Sequence, residues 1–464
     1  MRVLLTTIGS FGDLNPYIGL GLALKRRGHH PVLAMANAYR PHVEAAGLEC
    51  RPVGPHGDPW DQALVARIMH PLRGAEFLVR DLLMPTVGEA YDDLFAATAD
   101  VDAIVSHPLT FTAPLVAEKR GLPWAGAVLA PMNFFSLVDP PQVVAHPLAA
   151  AIHRAWPRAM SWGIPLGKLV TRSWGDPVQV LRQKLGLPRG GHPIYEGQFS
   201  PHLNLALFSR VLAEPQRDWP AQTIVTGAVT YDAVHGGLPD GLGKFLDNGP
   251  PPVVFTLGSA AVSHRRAAPF YEVSAATAIA LRLRAVLLVG PAHRSSDRDD
   301  ALAHRSSKSD DGLAHRSSKS DDGLAHRSSK SGGGSPDVFV AEWAPHSELF
   351  PLAAAVVHQG GAGTMHTALA AGRPMIVVPF AHDQPDNAAR MERLGVSRTI
   401  YPQQYTPSRV RDELASLLKD EETKTAASAV GAKVRAEHGG DRAVDALEAL
   451  AGKSPSTQGS AIAR

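Results

Sequence analysis

The chain has a single cysteine, Cys50, among 464 residues. One cysteine closes no internal disulfide and builds no cysteine-based metal site. Cys50 is therefore expected as a small buried apolar residue. Charge of one sign is also missing. Lys and Arg number 46 against 44 Asp and Glu, for a formal net charge of +2. No basic stripe forms, which excludes the usual footprint of a nucleic-acid binder. Long apolar runs are lacking as well. The opening run, Val3 to Ile8, is too short for a spanning helix and leads into no signal-peptide cleavage pattern. A soluble cytoplasmic protein without stable membrane insertion is expected.

What is present suffices for two cores. Hydrophobic residues make up 44%, and the length exceeds one ordinary domain. Val3 to Thr7 reads as a buried strand, and Gly9-Ser10-Phe11-Gly12-Asp13 as a tight turn. Asn15 to Arg27 has helical apolar spacing and stops at Gly28. His30 to Met35 reads as a second strand. Such a strand–helix–strand unit specifies α/β architecture with a parallel sheet. Apolar runs at 103–106 and 124–129 continue it. The alternation restarts after Leu212-Ala213-Glu214-Pro215, with strands expected at 253–257, 285–289, 338–341, 355–358 and 375–379. Two domains are expected, 1–215 and 216–452, with amphipathic helices over 407–450. The polar tail 453–464 is expected to be disordered.

One segment departs from this pattern. Ala292-His293-Arg294-Ser295-Ser296 recurs from Ala303, Ala314 and Ala325 with an eleven-residue period. That period can support a right-handed coiled coil, but only with an apolar seam. Each unit offers little beyond one Leu and one Ala, so 292–335 reads as a disordered insertion. The composition predicts that a short Gly-Ser linker from Pro291 to Pro336 could replace it without loss of activity or melting temperature.

Chemistry-bearing residues concentrate between Trp343 and Asn387. Trp343-Ala344-Pro345-His346 comes first, then His358-Gln359-Gly360-Gly361-Ala362-Gly363-Thr364, then His382-Asp383-Gln384. The glycine run lies between an apolar strand and an apolar helix. Glycine admits close approach of a ligand, and a helix N-terminus offers free N–H groups and a positive dipole end. That suits a phosphate, although a plain tight turn would look the same. The lysine of a P-loop and the spacing of a dinucleotide fingerprint are absent.

Together these motifs resemble the donor-binding box of family 1 glycosyltransferases, the group with bacterial natural-product, sterol and plant secondary-product branches. The resemblance covers both halves of the chain apart from the repeats and tail. It implies a GT-B fold, two Rossmann-like domains with parallel sheets facing a central cleft. It implies an aromatic face for the nucleobase at Trp343, with His346 close by. It places the diphosphate on His358, Gly360, Gly361, Ala362, Gly363 and Thr364, with Gly258-Ser259 nearby. Sugar hydroxyls fall to Asp383 and Gln384. Each residue alone has a plainer reading: a core Trp, a strand-end His, a helix cap at Gly258-Ser259, an exposed Asp-Gln.

The first half would then bind the acceptor and supply the base. Family members carry a His after the first strand; Gly12-Asp13-Leu14-Asn15-Pro16 has Asp13 there, as in the sterol and antibiotic branches. An unperturbed carboxylate is a weak base and needs burial or a partner. Asp13 could equally cap the following helix. His107, in Ile104-Val105-Ser106-His107-Pro108, stands where plant relatives have the supporting Asp. The pair would share the proton-accepting task, unless His107 is only a strand-end residue. Trp60, Met84, Phe134 and Phe135 are the acceptor-lining candidates, with ordinary core packing as the alternative.

The implied reaction is an inverting, metal-independent transfer of a hexose from a UDP- or dTDP-sugar co-substrate to a hydrophobic acceptor such as a polyketide or macrolide. No cofactor is called for. An epimerase of the same shape and a non-catalytic homologue serving a partner protein are the rival readings. His366 occupies the place where plant relatives hold the ribose with a Glu, which predicts weak discrimination between uridine and thymidine donors. The sequence leaves the oligomeric state open.

Overall fold

A computed structural model of the chain describes residues 1–232, 237–261, 267–290 and 336–452. Residues 292–335 and 453–464, both expected to be disordered, lie outside them. The first sheet contains β1 (Arg2–Thr6), β2 (His30–Met35), β3 (Glu49–Pro52), β4 (Ala103–Ser106), β5 (Trp124–Val128), β6 (Asn204–Ala206) and β7 (Thr223–Val225). Its order is β3-β2-β1-β4-β5-β6-β7. The second contains β8 (Val253–Thr256), β9 (Ala285–Leu288), β10 (Val338–Ala341), β11 (Ala355–His358), β12 (Met375–Val377) and β13 (Ser397–Thr399). Its order is β10-β9-β8-β11-β12-β13.

Both sheets are parallel, and both reverse direction of growth at their first strand. Helices cover the two faces of such sheets, which explains why Val3, Leu4 and Leu5 are all buried rather than alternating. In doubly wound sheets ligands bind beyond the carboxyl ends of the strands, at the point where strand order reverses. That rule selects the β1/β4 boundary in one domain and the β8/β11 boundary in the other.

The division expected at residue 215 is shifted by the structure. Strand β7 lies beyond it yet pairs with β6, Leu205 facing Ile224. The last helix, Gly439–Gly452, also returns to the first domain. Its Ala443, Val444 and Leu447 enter the core built by Leu5, Leu14 and Ile18. Arg27 fastens its exposed side through Asp445 at 2.9 Å and Glu448 at 2.6 Å.

The domains share apolar packing as well. Val128, Phe208 and Trp219 of the first belong to the same buried cluster as Met365, Leu369 and Ala388 of the second. Arg390, on the helix Gln384–Arg393, crosses the boundary. It meets Asp386 at 2.7 Å, Asp139 at 2.5 Å and the Leu212 carbonyl at 3.2 Å.

The expectation that a short linker could replace 292–335 fails on strand register. Ala285 faces Val338 in a parallel pair, so the chain must return along the whole strand before β10 begins. Parallel neighbours need a crossover of about a dozen residues or more. Replacing the repeats by about four residues is therefore expected to abolish the cooperative thermal transition. A Gly-Ser crossover of about fifteen to twenty residues should keep the melting temperature within a few degrees. Equal melting of the two variants would refute the length requirement.

Candidate active site

The turn after β1 enters the helix Phe11–Arg26 through a capping box. Ser10 Oγ accepts from Gly12 N, and Asp13 Oδ2 accepts from Ser10 N at 2.8 Å. Burial pushes the Asp13 carboxyl up to about 6, although the hydrogen bonds from Ser10 pull it down. β4 pairs with β1, Ser106 opposite Thr6, and this delivers His107 beside Asp13. His107 Nε2 stands 3.8 Å from Asp13 Oδ1. Its Nδ1 accepts from the Leu109 N–H at 3.3 Å. With Nδ1 so used, the neutral ring carries its proton on Nε2, towards Asp13. Burial holds His107 down at about 3, so it stays neutral and offers a donor rather than a base.

The second domain repeats the arrangement. Thr256 faces His358 across β8 and β11, placing Gly258-Ser259 beside the glycine turn. Gly258 has φ +62°, and a Cβ there would sit 2.2 Å from Gln359 Nε2. His358 is fully buried, its Nδ1 accepting from Gly360 N at 3.1 Å. Nε2 is buried with no hydrogen-bond partner among the described residues. Burial, with His346 nearby, holds this ring down at about 3. A neutral N–H donor is left over where the helix Ala362–Ala371 begins. Gly361 is the N-cap of that helix, and Ala362, Gly363 and Thr364 form its first turn.

The two domains meet here. A Cβ on Gly363 would lie 3.7 Å from the Gly12 carbonyl, so the starts of the two helices are neighbours. Asp383 is held by Asn387, whose Nδ2 donates to Asp383 Oδ2 and to the Gly360 carbonyl, each at 2.8 Å. Burial first, then the charge of Asp13, pushes the Asp383 carboxyl up to about 7. Asp383 thus feels the charge of Asp13 across the junction. Gln384 is buried and turned partly inward, its Oε1 accepting from Phe380 N and Ala381 N. Trp343 is partly exposed, and His346 stacks on Phe350 at 4.4 Å. A hollow of about 830 Å³ on the first domain, walled by Trp124, Arg182 and Phe199, includes none of these residues.

Two acceptor candidates are corrected. Met84 is buried in the core with Leu83 and Val87. Phe134 is buried against Trp219, ring centroids 4.0 Å apart. Both are core residues, the alternative already open for them. Phe135 is half-buried beside Tyr195. Trp60 is exposed and packs near Tyr39, which in turn packs on Phe11. Those last two aromatics were missed, because single aromatics at a helix start and in a 3-10 segment carry no periodic signal.

His366 is not the ribose-facing residue its position suggested. It is buried, Nδ1 bonding the Ala362 carbonyl at 2.8 Å and Nε2 accepting from Ser209 N at 3.3 Å.

Comparison with known proteins agrees with this geometry. Residues 325–450 match the model of the erythromycin biosynthesis protein CIII-like C-terminal domain. The chain is 31% identical to O-mycaminosyltylonolide 6-deoxyallosyltransferase of Streptomyces fradiae, over 97% of each chain. Its fold is similar to the solved glycotransferase of kitacinnamycin, at 20% identity and a TM-score of 0.68, covering 97% of this chain and 98% of that one. It is also similar to a spinosyn rhamnosyltransferase solved with thymidine diphosphate, at 16% identity and a TM-score of 0.62, covering 97% and 100%. The fold and these likenesses define a glycosyltransferase of the two-domain GT-B type. The chain belongs to the family 1 glycosyltransferases. No helix among the described residues is long and apolar enough to cross a membrane.

The His366 geometry gives a stability prediction. His366→Ala removes the acceptor of a buried Ser209 N–H, which costs about 1–3 kcal/mol. A lower melting temperature with unchanged nucleotide affinity is expected. A melting temperature equal to the parent's would show that the contact contributes nothing.

Proposed function

We propose that the chain transfers a hexose from a UDP- or dTDP-sugar to a hydroxyl of a hydrophobic small molecule of the polyketide or macrolide class, with inversion at the anomeric carbon. One observation carries the reading: Asp13 and Asp383, from opposite domains, bring two buried carboxyls, both raised by desolvation, to the place where two helix N-termini meet. Asp383 and the Gln384 amide suit sugar hydroxyls. The free N–H groups of Gly361 to Gly363 and the His358 Nε2–H suit the diphosphate. Trp343 offers a face to the base.

Asp13 Oδ1 takes the proton of the acceptor hydroxyl. The freed oxygen attacks the anomeric carbon as the bond to the diphosphate oxygen breaks, and the nucleoside diphosphate leaves with the electron pair. A single displacement needs no covalent enzyme intermediate, metal ion or cofactor. The neutral His107 ring stands 3.8 Å from Asp13 Oδ1, with its Nε2–H facing that oxygen. This narrows the shared role expected for the pair: Asp13 accepts the proton, and His107 stays neutral with its Nε2–H turned towards Asp13. Likeness to named transferases along the whole chain favours transfer over the epimerase or non-catalytic readings.

Asp13→Asn should keep the fold and nucleotide affinity and lower kcat by at least about a hundredfold, the scale of general-base catalysis. In the parent, kcat/KM should fall below about pH 6 as Asp13 protonates. His107, held near 3, adds no limb above that. Turnover of the Asn variant within a few-fold of the parent would leave Asp13 a helix cap.

His366 faces inward, so nothing at that position reads the ribose 2′-hydroxyl. Specificity constants for UDP-glucose and dTDP-glucose should therefore differ by less than about a hundredfold, the size set by a dedicated polar contact. A larger uridine preference would locate a ribose-reading group elsewhere.

A further inference from the structure

Residues 146–174 lie largely outside every core cluster: among them only Ala150 is buried. The helix Gly163–Val170 buries no residue at all. Trp162, Leu166, Leu169 and Val170 share one stripe of it, at the spacing that makes a helix face. Trp162 is 78% exposed and Leu169 67%. Beside them Trp156, at the joint of two short helices, is 63% exposed. A soluble surface rarely displays so large a contiguous apolar patch without a partner.

Charge identifies the partner. From Pro140 to Gly175 the chain has no Asp or Glu, and it has Arg154, Arg158, Lys168 and Arg172. Arg154 is 3.6 Å from Glu392, and Lys168 pairs with Glu196. Arg158 and Arg172 are exposed, with no acidic partner among the described residues. Exposed tryptophans beside unpaired cations on short helices suit the boundary of a lipid bilayer. The indoles and leucines enter the headgroup region, and the guanidinium groups meet lipid phosphates. The patch also reaches the acceptor side of the molecule. Lys168 pairs with Glu196, and its neighbour Tyr195 packs on Phe135 at 4.7 Å.

We propose that this face docks the enzyme reversibly on an anionic phospholipid surface, without spanning it. Docking there sets the acceptor side of a glycosyltransferase beside the phase in which hydrophobic molecules collect.

The test is co-sedimentation of the full chain with vesicles of phosphatidylglycerol mixed with phosphatidylcholine, against vesicles of phosphatidylcholine alone. Binding to the anionic vesicles is expected, weakened by raised salt and accompanied by a blue shift of tryptophan emission. The double variant R158E/R172E should bind at least about fivefold more weakly per cation removed. W156A/W162A should also lose binding. Both variants should keep the parent melting temperature and nucleotide affinity, since all four side chains are exposed. Failure to bind anionic vesicles, or equal binding to both compositions, would overturn the proposal. So would a lipid-free dimer that W156A/W162A dissociates, which would assign the face to a second copy.

Discussion

Arg390 is the pivot of the molecule. Its side chain is 3% exposed, as is that of Asp386, one helical turn earlier. A guanidinium in that setting is tolerated only with its donors used, and the partners come from both domains: Asp386 from the second, Asp139 and the Leu212 carbonyl from the first. Asp386 is tied across the boundary too, through the Gln142 N–H at 3.1 Å. The same helix opens with Asp383 as its N-cap and Gln384 as its first residue. The contact joining the domains thus also fixes how Asp383 and Gln384 stand towards Asp13. The buried charge acts less as a source of net stability than as a specification of one interdomain arrangement.

From that arrangement follows the electrostatics of the site. Three imidazoles, His107, His358 and His366, are kept neutral by burial, at about 3, 3 and 4. In His107 and His358 one ring nitrogen is committed to the backbone, which leaves the proton on Nε2; in His366 both nitrogens are committed. The carboxyls respond in the opposite sense to the same burial, Asp13 reaching about 6 and Asp383 about 7. The site at neutral pH is therefore a set of fixed N–H donors with two carboxyls poised near the working pH. In the proposed reaction the former would solvate a diphosphate, and one of the latter would accept a hydroxyl proton.

Much of this was legible in the sequence. Nine strands showed themselves as apolar runs. Strands β3, β6, β7 and β13 did not, because segments such as Glu49–Pro52 and Ser397–Thr399 have three or four residues with polar members, too few for a period. The boundary at 215 failed for a related reason: β7 is recognisable only by its pairing with β6. The motifs at Trp343, His358 and Asp383 were visible because each lies at or just beyond a strand end. Met84 and Phe134 misled because large apolar residues look alike whether they line a cavity or fill a core. His366 misled because position in a motif says nothing about the direction in which the side chain points.

The helix cap and the proposed base role of Asp13 are compatible once its two oxygens are considered separately. Oδ2 receives the Ser10 N–H at 2.8 Å and closes the capping box. Oδ1 is the atom that faces His107 Nε2. Capping needs one oxygen in a fixed place, and in fixing it the cap also fixes the other. A carboxylate at a helix N-terminus is ordinarily stabilised by the dipole and by N–H groups, which would weaken it as a base. Here burial outweighs those contacts and leaves the group at about 6. The structural role thus supplies the aim, and desolvation supplies the basicity. On the proposed mechanism, aspartate can then serve a position that other branches of the family fill with histidine.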